Sequence, residues 1–447
     1  MRGGWLVGLC VSAIACSGGL DNNDGGPNLG DGDSASTGTS VDTSAGPATS
    51  VATTSVGSGD TIGADTTMGE TTSPTTTSDP DSTGAPSCET HWRVQPATSP
   101  LSDIAYDAAS DTVIAIGNDG PTPWAVALDA CDGTQLAMTS LPEPGATSTY
   151  LRRALASSAG LFVAGSVVTA ADPGNGLYAE LDPATLMPVW SQPLVGGGGN
   201  MDEVLSLTRS DAGAIWMAGT ASVNMMPAPW TINGTTSGMA CGFSAGTPGS
   251  GSARAIAADG DTVVVAMRPD GAVGGIVLYG YDQTCSCMCQ PQWTSTPIDV
   301  GMGSTSIGEM VAVDGQFYVA GWAHDGAALD LFGYVAWLNG NGTLLGTYTD
   351  DVTPTGEGFI TMAAVGGTLY VGGAQAWDGG ANFLGANARL QALPIPFGGT
   401  PQPDWTTLPA DLDIVEGLAA STEYVFVGGN ADANATVLRC DGAGECG

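Results

Sequence analysis

The sequence predicts an all-β fold, a seven-bladed β-propeller built from four-stranded antiparallel blades. A short apolar segment that ends in a small residue recurs seven times, at intervals of about 50 residues. Glycine accounts for 68 of the 447 residues, which suits many tight turns rather than long helices. The recurring segments end at Gly117, Gly165, Gly219, Met267, Gly321, Gly373 and Gly429.

Each repeat contains the pattern of four strands. The first segment is rich in small residues, as in Ala255–Ala257, and a hairpin-favouring turn such as Asp259-Gly260 leads into the recurring segment. An alternating third segment follows, as in Leu177–Leu181. We place the small residues on the innermost strand, because seven sheets crowd the axis. The fourth segment often carries an aromatic residue: Trp190, Trp293, Tyr348 and Trp405.

Two motifs connect this period to known repeats. The run from Asp182 to Trp190 resembles the Asp-to-Trp spacing of quinoprotein-like propeller repeats, and Leu128–Thr134 is a partial second match. The resemblance implies the fold and not the quinone cofactor. Glycine pairs at 372–373 and 428–429 resemble kelch repeats, whereas the Gly-His and Trp-Asp signatures of WD40 repeats are missing. A pair of β-sandwiches is the alternative fold.

The N-terminus has the features of an export signal. A short basic region at Arg2 precedes an apolar stretch, Trp5–Ala15, that is too short to cross a bilayer. The end of this stretch, Ala13-Ile14-Ala15-Cys16, resembles the lipobox of bacterial lipoproteins, which implies acylation of Cys16 and cleavage before it. We therefore predict a signal peptide over 1–15 and an acyl anchor at Cys16 in the lipid bilayer, in the outer membrane or at the cell surface. An ordinary secretory signal that is cut nearby is the alternative.

Residues 16–87 form a linker rich in Ser, Thr and Gly, with acidic residues and no base. Such a segment cannot bury enough apolar surface to offset its ordering entropy, so we predict disorder. Its expected role is to hold the propeller, residues 88–447, away from the membrane.

The strongly negative charge of the chain limits the classes of partner that it can bind. Acidic residues number 45 against nine basic ones, all arginine, and the net charge is −36. Nothing here could neutralise a phosphate backbone, so nucleic acid is excluded as a partner. Mutual repulsion between such acidic chains leads us to expect a monomer.

The sequence contains no recognisable catalytic motif. We find no nucleophile elbow, no H-E-x-x-H and no P-loop, and His91 and His324 lie outside any catalytic spacing. We therefore predict no catalytic residue, no metal and no cofactor. The leading hypothesis is a non-catalytic platform that binds a protein, a carbohydrate or a cation. The alternatives are a carboxylate-based enzyme of glycosidase or lyase type at the mouth of the channel, and a passive spacer.

Charged residues recur at or just before each predicted inner strand, in a loose register. In a propeller these positions follow the loop from the preceding blade, so they should surround one mouth of the central channel. We predict a ligand site there, with the alternative that these charges only stitch neighbouring blades together. The candidates are Asp103, Arg152, Arg153, Glu203, Arg254, Glu309, Glu357 and Glu416.

The two ends of the propeller sequence should meet to close the ring, and cysteines lie close to this closure. The last repeat ends after its third strand, so we infer that Trp92–Val94 supplies its fourth. Cys440 and Cys88 stand at the same positions relative to this closure as Cys285 and Cys289 do within the fourth repeat. We therefore predict Cys88–Cys440, with Cys88–Cys446 as the runner-up, and Cys285–Cys289. Because Cys287 and Met288 lie between the latter pair, a soft-metal site is the alternative to that disulfide.

Overall fold

The computed structural model describes Cys88 and residues 91–446, with gaps. The gaps are 171–173, 195–199, 224–225, 235–239, 245–250, 269–274, 286–288, 301–304, 325–330, 352–355, 377–385 and 410–411. The signal peptide, Cys16 and the linker lie outside the described residues, so those assignments stay predictions.

The described part of the chain contains 28 β-strands in seven four-stranded antiparallel sheets, which we call blades 1 to 7. No helix that could cross a membrane occurs among the described residues. Blade 1 is β2 (Leu101–Asp107), β3 (Thr112–Asp119), β4 (Thr122–Asp129) and β5 (Gln135–Ser140); blade 2 is β6 (Ala146–Ser157), β7 (Gly160–Thr169), β8 (Asn175–Leu181) and β9 (Pro188–Leu194); blade 3 is β10 (Asn200–Arg209), β11 (Ile215–Val223), β12 (Met226–Gly234) and β13 (Ala240–Ser244).

The remaining blades repeat the order. Blade 4 is β14 (Ser252–Asp259), β15 (Thr262–Arg268), β16 (Val277–Asp282) and β17 (Trp293–Thr294); blade 5 is β18 (Thr305–Val313), β19 (Gln316–His324), β20 (Leu331–Asn339) and β21 (Leu344–Asp350); blade 6 is β22 (Glu357–Val365), β23 (Thr368–Gln375), β24 (Asn387–Pro394) and β25 (Trp405–Thr407); blade 7 is β26 (Ile414–Ala420), β27 (Tyr424–Ala431), β28 (Asn434–Asp441) and, from the N-terminal side, β1 (Trp92–Ala97).

The blades form a closed ring. The first strand of each blade packs against the first strand of the next, and β26 packs against β2. Apolar clusters fill the spaces between neighbouring blades, such as the one that joins Val264 and Leu278 of blade 4 to Phe317 and Val319 of blade 5. The predicted seven-bladed propeller of four-stranded blades is therefore confirmed.

A tryptophan in the fourth strand fastens three of the blades to the next one. Trp293 of β17 donates its indole N–H to the carbonyl of Gly340, at 3.1 Å, in the turn of blade 5. Gly342 in that turn has φ +82°, and a Cβ there would lie 2.5 Å from the Trp293 ring, so only glycine fits under the indole. The same arrangement joins Trp405 to Gly442 and Gly444, and Trp92 to Ala130 and Gly133.

The N-terminal strand closes the ring, as predicted: β1 pairs antiparallel with β28, with Trp92 opposite Arg439. The predicted closing disulfide is wrong. Cys88 bonds to Cys131 of blade 1, and Cys440 bonds to Cys446, so neither Cys88–Cys440 nor Cys88–Cys446 forms. The chain after Cys440 turns back and bridges to Cys446, which occupies that thiol.

The position of Trp92 explains the partner of Cys88. Its indole donates to the carbonyl of Ala130, the residue before Cys131, and Cys88 lies four residues before Trp92 in the chain. The internal disulfide Cys285–Cys289 of blade 4 is confirmed, so these two thiols are not free to bind a soft metal.

Candidate functional site

We call the end of the ring where all seven first strands begin the channel mouth. Most of the predicted charged residues lie in the half of a first strand nearer this mouth, whereas Arg152, Arg153 and Glu309 lie at or beyond the middle of theirs. The pairing between the first and second strands of each blade defines the register of these residues, which the sequence alone did not define. The residues opposite the seven recurring segment ends are Leu101, Leu151, Val204, Ala253, Ile307, Phe359 and Val415. A bulge follows each of them, which turns neighbouring side chains in different directions.

This register sorts the candidates into three groups. Arg152, Arg254 and Glu416 occupy the bulge itself, directly after the aligned residue. Asp103, Arg153 and Glu309 stand one residue further along. Glu203 and Glu357 precede the bulge. The eight side chains therefore do not form one ring of equivalent groups.

Arg153 crosses the channel. From blade 2, its Nε donates to the Leu205 carbonyl of blade 3 at 3.1 Å, and its Nη2 donates to the Gly308 carbonyl of blade 5 at 3.4 Å. Its Nη1 lies 3.8 Å from Asp103 Oδ1 of blade 1. One guanidinium thus contacts three other blades at the axis.

Asp103 and Glu309 connect blades to each other. Asp103 Oδ2 accepts the backbone N–H of Ala154 in the next blade at 2.9 Å. Glu309 Oε2 accepts the N–H of Met362 at 2.9 Å and the hydroxyl of Thr361 at 2.7 Å, also in the next blade. These contacts support the alternative in which both carboxylates hold neighbouring blades together.

Burial raises the pKa of Asp103 to about 7. The charge of Arg153 opposes that shift, and the charge of Glu309 adds to it. Burial also raises the pKa of Glu416 to about 7, against the charges of Arg153 and Arg152. Burial alone would lower the pKa of Arg153, but Glu309, Asp103 and Glu416 outweigh it and raise that pKa.

The more accessible charges lie around this buried group. Arg152 Nε pairs with Glu203 Oε1 at 2.6 Å, and the two side chains are 23% and 25% exposed. Arg254 is half-buried, and its Nε donates to the hydroxyl of Ser252 at 2.7 Å. Glu357 is fully buried, so it does not face a ligand. Asp103, Glu357 and Glu416 are buried, and the other five candidates are half-buried. Because Arg153 and Glu309 are bonded to neighbouring blades, Arg152, Glu203 and Arg254 are the candidates that we retain for a ligand.

The two histidines lie in different surroundings. His91 Nε2 lies 3.5 Å from Asp441 Oδ2, near the ring closure. His324 packs edge-on against Trp322, and burial lowers its pKa. Within the described residues, no group of three or more His, Cys, Asp or Glu side chains is arranged to hold a metal ion.

Sequence reasoning missed two features. Asn430 bridges the closure, since its Oδ1 accepts the N–H of Leu101 at 2.8 Å; a lone asparagine in a strand gives no signal for this contact. A groove of about 340 Å³ lies between β1 and blade 1, lined by Gln95, Asp119 and Trp124 among others. It depends on how the two ends of the chain meet, which no local pattern shows.

Comparisons with known proteins add little. No protein-family model matches the chain, and no curated protein matches it. Among solved structures, it is similar to the WD40 β-propeller domain of Doa1, with 14% identity over 78% of this chain and 95% of that chain. The TM-score is 0.46. A likeness of this degree carries no argument about function, and the propeller fold rests on the seven blades themselves.

Proposed function

We propose that the chain is a lipid-anchored protein of the cell envelope, whose propeller presents its channel mouth to a ligand or protein partner. The observation that carries the proposal is the difference between the two ends of the ring. Most of the candidate ligand-binding side chains lie in the half of the first strands nearer the mouth, whereas the predicted stalk joins the ring at the other end.

The stalk joins through Cys88. This residue is bonded to Cys131, in the turn between β4 and β5. Strand direction places that turn at the end opposite the mouth, because β2 begins at the mouth and each following strand reverses. A tether that enters there leaves the mouth free of the linker's attachment point.

The accessible charges at the mouth have both signs. Arg152 and Arg254 supply donors in a planar fork, and Glu203 supplies acceptors. Such a mixed set suits a polar ligand with hydroxyl or amide groups, so we propose a carbohydrate or a polar loop of a protein. A simple cation is the weaker candidate, because arginines share the surface.

The test is calorimetric titration of the soluble propeller domain, carried on a chain without the signal and anchor, with a panel of defined oligosaccharides. The variants are Arg152→Ala and Arg254→Ala, and Arg209→Ala is the control. Arg209 ends β10 at the opposite face of the ring, where its Nη1 donates to Ser158. Loss of binding in the mouth variants alone supports the proposal. Binding that survives both, or that is lost in Arg209→Ala, contradicts it.

The anchor is tested separately. Cys16→Ser should move the protein from the membrane fraction to the soluble fraction, because acylation needs the thiol. Membrane association that persists in Cys16→Ser contradicts the lipid anchor without affecting the binding proposal.

A further inference from the structure

The groove of about 340 Å³ between β1 and blade 1, which we call the β1 groove, lies at the outer strands of the ring. Residues 95–99 line one side of it, and Asp119, Trp124 and Met138 are among the residues of blade 1 that line the other. Because β3 ends and β4 begins at the mouth end of the ring, the groove lies towards that end. None of the eight charged candidates of the channel mouth lines it, so it is a separate place on the molecule.

The backbone of β1 forms part of the wall of this groove. β1 pairs with β28 as far as Val94, and the next paired residue is Ala97, so Gln95 and Pro96 have no partner in the ladder. β1 is also the outermost strand of its sheet. Successive side chains of an extended strand point to opposite sides, so five consecutive lining residues must line the groove partly with their backbone. Backbone groups on an outer strand are the groups that pair with an added extended peptide.

Trp124 supplies the groove with a hydrogen-bond donor. Its side chain is 3% exposed, and its Nε1 is buried with no acceptor among the described residues. The indole lies over Gly117, the residue opposite it in the ladder, where a Cβ would collide with the ring. An indole N–H that is buried without an acceptor costs free energy, which a carbonyl oxygen from a ligand would recover. The groove that Trp124 lines is where such an oxygen can approach.

The other lining residues favour a peptide over a carbohydrate. A sugar ring commonly stacks on an exposed aromatic face, and Trp124 exposes almost none of its ring. Met138 is 51% exposed, and its flexible thioether can adapt to an apolar side chain of a ligand. These features fit an extended chain that presents both backbone carbonyls and apolar side chains.

The charge of the groove selects among peptides. Asp119 is the one charged residue among those that line it, and its side chain is exposed. No hydrogen bond or ion pair of its carboxylate occurs among the described residues. The whole chain carries a net charge of −36, which attracts cationic partners and repels acidic ones. A basic peptide is therefore the best match.

We propose that the β1 groove binds a short, extended, basic peptide of a partner protein. The peptide lies beside Gln95 and Pro96, and one of its carbonyl oxygens accepts the indole N–H of Trp124. A lysine or arginine of the peptide pairs with Asp119, and a neighbouring apolar side chain contacts Met138. This site does not depend on the ligand site that we propose around Arg152 and Arg254.

The probe is a degenerate library of capped hexapeptides, applied to the immobilised full chain with its disulfides formed. The enriched sequences are then synthesised singly and titrated, and we expect them to combine a lysine or arginine with an apolar residue. Trp124→Phe keeps an aromatic ring but removes the donor, and should weaken binding about 3- to 10-fold. Asp119→Asn should weaken binding about 2- to 5-fold and make it less sensitive to salt.

Two control variants should bind the selected peptides as the wild-type protein does. Glu423→Gln removes the same charge from an exposed residue between β26 and β27, at the opposite end of the ring. Arg152→Ala changes the proposed ligand site at the mouth, so its failure to affect peptide binding separates the two sites. If Trp124→Phe folds poorly, Asp119→Asn decides the test, because it changes an exposed side chain.

Nuclear magnetic resonance of the ¹⁵N-labelled protein provides a second measurement. The indole signal that disappears in Trp124→Phe should shift when a selected peptide binds to the wild-type protein. The indole signals of Trp293 and Trp405, which are bonded to Gly340 and Gly442, should not shift. Three results overturn the proposal: no peptide is enriched, the selected peptides bind equally to wild type and Asp119→Asn, or oligosaccharides and not peptides shift the Trp124 signal.

Discussion

The interface between blade 7 and blade 1, which we call the closing seam, and the interface between blades 4 and 5 have the same contact at their outer edges. They differ in what surrounds that contact. In both, a tryptophan of one blade donates to a carbonyl in the next and lies over a glycine: Trp293 over Gly342, and Trp92 over Gly133. Of these two interfaces, the seam is the one in which the described residues show a disulfide between the two blades, Cys88–Cys131. A buried arginine, Arg439, also donates to the carbonyls of Ala130 and Cys131 there.

The difference follows from how blade 7 is built. Its fourth strand, β1, comes from the other end of the chain, and its ladder with β28 shifts register between Val94 and Ala97. In blade 4, all four strands are consecutive in the chain. No hairpin turn connects β1 to β28, so the backbone ladder between them is supplemented at the seam by side-chain contacts and by a disulfide.

The largest expected effect is at the axis. Arg153→Met removes the guanidinium that contacts blades 1, 3 and 5 and leaves buried carboxyl groups without their partner. We expect a loss of about 3–5 kcal/mol in the free energy of unfolding at neutral pH. The loss should shrink as the pH falls, because Asp103 and Glu416 then become protonated. Denaturant titration at two pH values measures both effects, and a loss that grows on acidification would contradict the account.

The tryptophans allow a direct comparison of the two interfaces. Trp92 is 4% exposed, whereas Trp293 is only partly buried. Trp92→Ala should cost about 3–5 kcal/mol, and Trp293→Ala should cost less, because it leaves the smaller cavity. Equal losses in denaturant unfolding would show that the seam is not specially dependent on its tryptophan.

The disulfides give the next comparison. Cys88–Cys131 joins residues 43 apart, and Cys285–Cys289 joins residues four apart. On the entropic model, replacing the first pair by serine should cost about 4 kcal/mol, and replacing the second about 2 kcal/mol. Thermal unfolding of the two double variants tests this order, and a reversal would mean that the seam does not depend on its covalent bond.

The smallest effect is expected from single glycines. Gly133 has φ +74°, and a Cβ there would lie 2.9 Å from the Trp92 ring. Gly120 has φ +56° with nothing within 4 Å. Gly133→Ala should therefore be more destabilising than Gly120→Ala by about 1 kcal/mol, since both are strained but only the first displaces the indole. Indistinguishable unfolding midpoints would weaken the role given to the glycine under the ring.

The seven repeats could be predicted from the sequence. The contacts between the two ends of the propeller were harder to predict. Seven repeats of apolar and small residues specify strands, turns and blades, and the missing fourth strand after Arg439 indicates that Trp92–Val94 completes blade 7. The partner of Cys88 was not predictable by analogy with Cys285–Cys289, because the chain after Cys440 folds back on itself. That contact depends on a local turn at the C-terminus, not on the repeat.

The candidate site could also be predicted only in part from the sequence. The sequence places charged residues at the mouth, because each follows the loop from the preceding blade. It does not show the bulge in each first strand, which separates Arg153 from Arg152 and sends one to the axis and the other to Glu203. Charged residues in a loose register can be found from sequence, but their directions depend on the ladder.

The most direct test of the closing seam is peptide mapping of the folded protein under non-reducing conditions. We predict a peptide that joins Cys88 to Cys131 and a C-terminal peptide in which Cys440 is bonded to Cys446. A peptide that joins Cys88 to Cys440, or a free thiol at Cys88 in fully oxidised protein, would contradict the way in which the N-terminal strand is fastened to blade 1.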